Sequence, residues 1–148
     1  MSVVILQKIS KSQKLPSKYL FTKWVNKILS RYKKKYEIVI RLVSIKEIVF
    51  LNRKYRNKNQ PTNIISFPFI PPKKIRTNLL GDIVICTSLV KKEAKFQHKS
   101  FQDHLAHLTI HGVLHLLGYN HETIKTANKM ETIEIKCLKQ LGINNPYL

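Results

Sequence analysis

The chain has 148 residues, 43% of them hydrophobic, with 27 Lys and Arg against 8 Asp and Glu, for a formal net charge of +19. Such a length and apolar content suit one folded domain and exclude a disordered chain, while the charge excludes a basic partner and makes a polyanion the default one. Two cysteines, Cys86 and Cys137, are too few to staple a small secreted module.

The excess charge is confined. Residues 101–148 hold four Lys and four acidic residues, which cancel, so residues 1–100 carry all of it. Lys, Ile and Asn are also the residues that A/T-rich coding favours, so where the charge lies says more than its size. No apolar run approaches the roughly 20 residues that span a membrane. The apolar stretch 3–6 is too short for a signal-peptide core. The expectation is a cytoplasmic chain with reduced thiols and no membrane partner.

In chain order, residues 3–9 read as a strand. Ser17 then caps an amphipathic helix with Leu20, Trp24, Ile28 and Leu29 on one face. Residues 37–43 alternate and are β-branched, which predicts a second strand. Ser44 and Glu47 form a Ser-x-x-Glu capping box that opens a helix to about Asn57. A loop with Pro61 follows, then a strand over 64–69, a Pro-containing loop over 70–77, and a strand over 80–86. A helix spans about 88–97. Ser100 and Asp103 start another, which stops at Gly118, and a last helix runs from about 123 to 141 and stops at Gly142. The sum is one α+β domain over residues 1–148, with about four strands in a mixed sheet, about five helices, and the chemistry on the late helices.

That chemistry is a histidine constellation. His104, His107, His111 and His115 share one predicted helix, and His121 follows just past its end. At 100° per residue, 104, 111 and 115 fall within about 40° of one another, with 107 roughly 60° aside. Histidines at i and i+4 stand one turn apart on one face and can bind one metal ion. Both His107/His111 and His111/His115 have that spacing. His107 and His115 are about 12 Å apart along the helix, so one ion cannot take all three. His121 can fold back after Gly118 toward His115, which favours the set His111, His115 and His121. Three imidazoles on zinc leave a fourth position open, the catalytic arrangement. His104 and His107 are then expected to support the site or face solvent. A metalloprotease would place its general-base Glu directly after the first histidine; here that residue is Gly112.

The run His111-Gly-Val-Leu-His115-Leu-Leu-Gly-Tyr-Asn-His121 closely resembles the signature of the YbeY family, bacterial single-strand-specific endoribonucleases of ribosomal-RNA maturation. Residues 51–68, with Leu51-Asn, Tyr55-Arg56, Pro61-Thr-Asn63 and Ser66-Phe-Pro68, resemble a second block of that family, and Gly81-Asp-Ile a third. The resemblance runs from about residue 37 to the C-terminus. It implies a zinc-bound hydrolase with His111, His115 and His121 as ligands and Arg56 as a functional arginine. It also implies processing of the 3′ end of small-subunit (16S) ribosomal RNA, a place in ribosome quality control, and therefore the small ribosomal subunit as partner. Asn120 departs from the family's Asp before the last histidine, a position from which a carboxylate would orient a ligand.

The residues suit RNA cleavage on their own terms. A metal with an open position polarises a phosphoryl oxygen. An arginine fork holds two phosphate oxygens and stays charged. Lys33–35, Arg53, Lys54, Lys58, Lys73, Lys74 and Arg76 supply cations for a phosphate backbone. The alternatives are a non-catalytic RNA-binding ribosome-assembly factor braced by a structural metal, and a metal-dependent hydrolase of another substrate, which Gly112 disfavours.

Overall fold

Alternating β-branched residues build a single sheet. The computed structural model describes residues 2–8 and 15–148. Its strands are β1 (Val3–Lys8), β2 (Glu37–Val43), β3 (Ile64–Pro68) and β4 (Leu79–Cys86), in the spatial order β1-β2-β4-β3. β1, β2 and β4 are parallel, and β3 lies antiparallel to β4 at the edge. The helices are α1 (Lys18–Leu29), α2 (Ile45–Arg56), α3 (Thr87–Phe96), α4 (Phe101–Leu116) and α5 (Ile124–Gln140). This is the expected α+β arrangement of five helices and a four-stranded mixed sheet. Ile9, the last residue of the predicted first strand, lies outside the described residues.

Local chemistry sets the helix starts. Ser17 Oγ accepts from Leu20 N–H and Ser100 Oγ from Asp103 N–H at 3.0 Å, and such caps are worth about 1 kcal/mol each. The predicted box at Ser44 is half formed. Ser44 Oγ accepts from Glu47 N–H at 3.3 Å, but the Glu47 carboxylate turns instead to the Arg41 guanidinium at 2.8 Å. An ion pair outcompetes a neutral backbone donor for that carboxylate. The reciprocal box is at α5, where Thr123 and Thr126 each bond the other's backbone.

Strand alternation divides the core. Ile38, Ile40 and Leu42 of β2 and Ile83 and Ile85 of β4 face α1 and α4 in the larger cluster. Val43, Val84 and Cys86 face the other way, against Ile48 of α2. Cys86 and Cys137 are buried in different clusters and both thiols are free. No helix among the described residues is long and apolar enough to cross a membrane.

α4 is apolar around most of its circumference, as a helix enclosed by the fold must be. It passes close beneath β3 where residue 112 has no side chain. A Cβ there would stand 3.1 Å from both Ile64 Cδ1 and Ser66 Oγ. Position 112 therefore faces the sheet, and a side chain there would need Ile64, Ser66 and Ile83 to shift. Gly81 of β4 is under a second constraint: its φ is +155°, and a Cβ would meet the Phe67 carbonyl and stand 2.7 Å from Leu116 Cδ2.

Overpacking the α4–β3 contact has a calculable consequence. Gly112→Val is expected to lower unfolding stability by about 1–3 kcal/mol, read from the urea midpoint at unchanged slope. A midpoint equal to wild type would show that α4 does not depend on this close approach.

Candidate metal centre

The i, i+4 spacing on α4 puts His111 and His115 on one face, with ring centroids 4.5 Å apart. After α4 the chain turns through Gly118, and His121 returns to stand 5.6 Å from the His111 ring and 5.1 Å from the His115 ring. One ring nitrogen from each of the three lies within 4.8 Å of the others. The set read from the sequence is thus brought together.

The hydrogen bonds decide which nitrogens are available. His115 Nδ1 lies 3.1 Å from the Tyr119 carbonyl, which can only accept, so Nδ1 carries the proton. His111 Nδ1 is hydrogen-bonded to the Glu134 carboxylate, which also only accepts. In the neutral rings both Nε2 atoms therefore carry lone pairs, and they face each other at 2.9 Å. Two lone pairs so placed repel unless a cation lies between them. This is the donor arrangement of two ligands to one ion, and it fits a zinc-type centre. Burial and the neighbouring His111 push the His115 pKa below its ordinary value, against the Tyr119 carbonyl, which favours the neutral, ligating form.

Glu134 was not singled out from the sequence, and it organises the site. It lies on α5 and is fully buried. One oxygen accepts from His111; the other accepts from the Tyr147 hydroxyl and lies 3.3 Å from His107 Nε2. Burial pushes its pKa up, but the bonds from His107, His111 and Tyr147 outweigh it and hold the carboxyl at about 2. Burial and the adjacent Glu134 in turn push the Tyr147 hydroxyl upward. A signal was present: Met130, Glu134, Cys137 and Leu138 share the buried stripe of α5, and a Glu on such a stripe needs a partner.

His107, His111 and Glu134 form a second group with metal-ligand proximity. Its carboxylate already takes donors from both histidines and from Tyr147, so the group reads as support for His111. Neither His104 nor His107 faces solvent. His104 is 5% exposed and its Nε2 lies 3.2 Å from Glu93. Glu93 also accepts from Asn63 Nδ2 at 3.1 Å, which suits an amide rather than a second acid at position 63. Asn120 Oδ1 accepts from Glu122 N–H at 3.2 Å. It braces the turn before His121, while the carboxylate that orients a ligand comes from α5.

Arg56 is the last residue of α2; Asn57 follows in the left-handed conformation with φ +58° and ends the helix. Among the described residues Arg56 has no acidic partner. It lines a cleft of about 670 Å³ together with His111, His115, His121, Tyr55 and residues 62–68. No lining residue is a carboxylate. Of the basic clusters, Lys34 Nζ bonds the Thr77 carbonyl at 3.0 Å and so draws 33–35 toward the loop carrying Lys73, Lys74 and Arg76.

Glu134→Gln keeps the shape and removes the charge that fixes His111. It is expected to weaken metal retention by about 10- to 100-fold, measured by competition with a chromophoric chelator. Unaltered retention would mean that the histidines are positioned without it.

The family model described as Endoribonuclease YbeY matches residues 6–142. An Endoribonuclease YbeY of Colwellia psychrerythraea is 46% identical, the alignment covering 99% of this chain and 97% of that one. Those of Buchnera aphidicola and Wigglesworthia glossinidia are 45% and 49% identical, covering 99% and 89% of this chain and 95% and 88% of their own. The solution structure of a Thermotoga maritima protein superposes with a TM-score of 0.59 at 22% identity, covering 94% of this chain and 91% of that one, and shares the fold. With the family matched over nearly its whole length, the chain belongs to the YbeY family.

Proposed function

We propose that the chain is a zinc-dependent endoribonuclease, a single domain over residues 1–148. It cuts single-stranded ribosomal RNA in the cytoplasm during maturation of the small-subunit 3′ end and in ribosome quality control. The observation that carries this reading is the convergence of His111 and His115 Nε2, with His121 beside them, in the same cleft as an arginine that has no acidic partner among the described residues. The curated relatives named as endoribonucleases support the reaction class.

His111, His115 and His121 would hold the zinc, which supplies Lewis-acid polarisation and one open position. The protein's own groups do the rest. Arg56 clamps the scissile phosphate through two guanidinium nitrogens and offsets the charge that grows on its oxygens. Glu134 holds His111 in the Nδ1–H form through the cycle. No carboxylate lines the cleft and its three imidazoles are the ones that would hold the ion, so these side chains provide no separate general base. The cationic N-terminal two-thirds holds the RNA backbone, which makes affinity strongly dependent on salt.

Purified protein should contain about one zinc per chain, in keeping with one three-histidine site. It should cut a labelled single strand carrying the small-subunit 3′ end and lose that activity to chelation. His115→Ala and Arg56→Ala are each expected to lower kcat by at least about 100-fold, the scale seen when a charge-stabilising group is removed. Full cleavage by metal-free protein would refute the reading. Normal ribosomal-RNA maturation in cells carrying either variant would favour the non-catalytic assembly factor instead.

A further inference from the structure

β3 is a sheet edge, and its register settles which backbone groups face outward. Cys86 N–H donates to the Asn63 carbonyl at 2.9 Å, and Phe69 N–H donates to the Leu80 carbonyl at 3.0 Å. Between these bonds the pairing runs from Ile64↔Ile85 to Pro68↔Gly81. In an antiparallel ladder alternate residues give both backbone groups to the partner strand, and those between them turn both away. Residues 63, 65, 67 and 69 thus bond to β4. Ile64 and Ser66 each turn one N–H and one C=O outward, and Pro68 adds a carbonyl with no N–H. Among the described residues nothing accepts from the Ile64 or Ser66 N–H.

This free edge borders the cleft that holds Arg56 and the three histidines. Edge strands are usually blunted by charges, bulges or a covering segment. β3, Ile-Ile-Ser-Phe-Pro, carries no charge, and only its terminal Pro68 is of the blunting kind. Tyr55 stands on the cleft wall, 57% exposed, edge-on to Phe67 with centroids 5.2 Å apart. Lys54 Nζ lies over the Tyr55 ring, 5.2 Å from its centroid, so a base that displaces this flexible side chain can stack there with the cation beside it.

We propose that the free edge of β3 reads one unpaired RNA base, and that this contact confines the cleft to single strands. The inference rests on the reading of the cleft as a ribonuclease site. An outward-facing strand residue presents a donor and an acceptor side by side. The Watson–Crick edge of a base offers the complementary pair, but only while no second strand occupies it. A duplex therefore has nothing to give to Ile64 and Ser66, and its bases cannot unstack onto Tyr55. An extended peptide could also add to such an edge. Arg56, which lines the cleft, Lys54, which lies over the Tyr55 ring, and the lack of an acid in the lining favour the polyanion.

The test deletes one outward N–H. Ser66→Pro removes it without breaking a ladder bond, the circumstance in which an edge strand tolerates proline. Ser66→Ala keeps the N–H and removes only the Oγ hydrogen bond to the Gly112 carbonyl, so it is the comparator. On zinc-loaded full-length protein, kcat/KM is measured for one RNA sequence as a single strand and as a duplex. Binding of the same single strand to chelated protein is followed by fluorescence anisotropy. Ser66→Pro is expected to lose about tenfold of the single-strand preference and of the binding seen with Ser66→Ala, the worth of one buried hydrogen bond. Equal preference in the two variants overturns the proposal. So does a neutral extended peptide that displaces the single strand from wild type while Ser66→Pro blocks the peptide alone. If Ser66→Pro melts early, a backbone ester at position 66 deletes the same N–H and is read by the same criteria. Wild type that cuts no RNA defeats the underlying ribonuclease reading. Wild type that cuts, with a proline variant that still discriminates, defeats only the role of the edge.

Discussion

The buried carboxylate of Glu134 is the interaction on which the site depends. Removing a carboxylate from water costs several kcal/mol even after relaxation, and α5 could not seat one on its apolar stripe without compensation. The two histidines of α4 and the Tyr147 hydroxyl supply it. Hydrogen bonds to a charged group are worth about 1.5–3 kcal/mol each, so three of them offset the burial. The same bonds tie three parts of the chain together: the central helix, the last helix and the C-terminal segment. They also assign a proton to His111 Nδ1 and so free Nε2 for the cleft. Stability and chemistry are coupled through one side chain.

α4 can serve as the scaffold because it is held from two sides. On one side Glu134 and Tyr147 grip its histidine face. On the other, Gly112 lets the helix approach β3 until Ser66 Oγ reaches the Gly112 carbonyl at 3.3 Å. A rigid helix is a better platform for two ligands than a loop, since the i, i+4 geometry fixes both imidazoles at once. His121, on the exposed turn, is the member of the proposed ligand set that the fold holds least, and Asn120 with its bond to Glu122 N–H steadies that turn.

Much of this was legible from the residues. Period and capping chemistry located nine elements to within a residue or two, because Ser17, Ser44, Ser100 and Thr123 each stand where a helix begins and accept a backbone N–H there. The histidine spacing located the centre because a helix converts sequence separation into direction. What spacing could not supply were partners from distant elements. Glu134 counted only as one of four acids that neutralised the C-terminal third; its place on the apolar stripe of α5 marks it as buried but does not name its partners. Asn120 drew attention as the residue next to a ligand, but the orienting carboxylate arrives across 23 residues of chain, from another helix. His107, four residues from His111, is turned toward the same acid rather than into the group formed by His111, His115 and His121. Gly112 was read as a missing base. In the fold it also lies at the close contact of α4 with β3, facing the sheet rather than the cleft.

The topology explains why a cleft exists here at all. β3 departs from the parallel order of its neighbours, and that reversal leaves it at the edge. A strand inside the sheet would have both backbone rows occupied and would be covered on its flanks. At the edge, one row of β3 faces the cleft, and the end of α2 brings Arg56 to the same opening. The cationic first two-thirds of the chain and the neutral, histidine-bearing last third thus meet along a single strand. The division of charge along the sequence becomes a division of labour across one groove. Its floor comes from α4 and the turn after it, and its wall from elements completed before α4 begins. Any change that inserted a further strand beside β3 would bury its free row and close the groove, leaving the histidines in place with nothing to present a substrate to them.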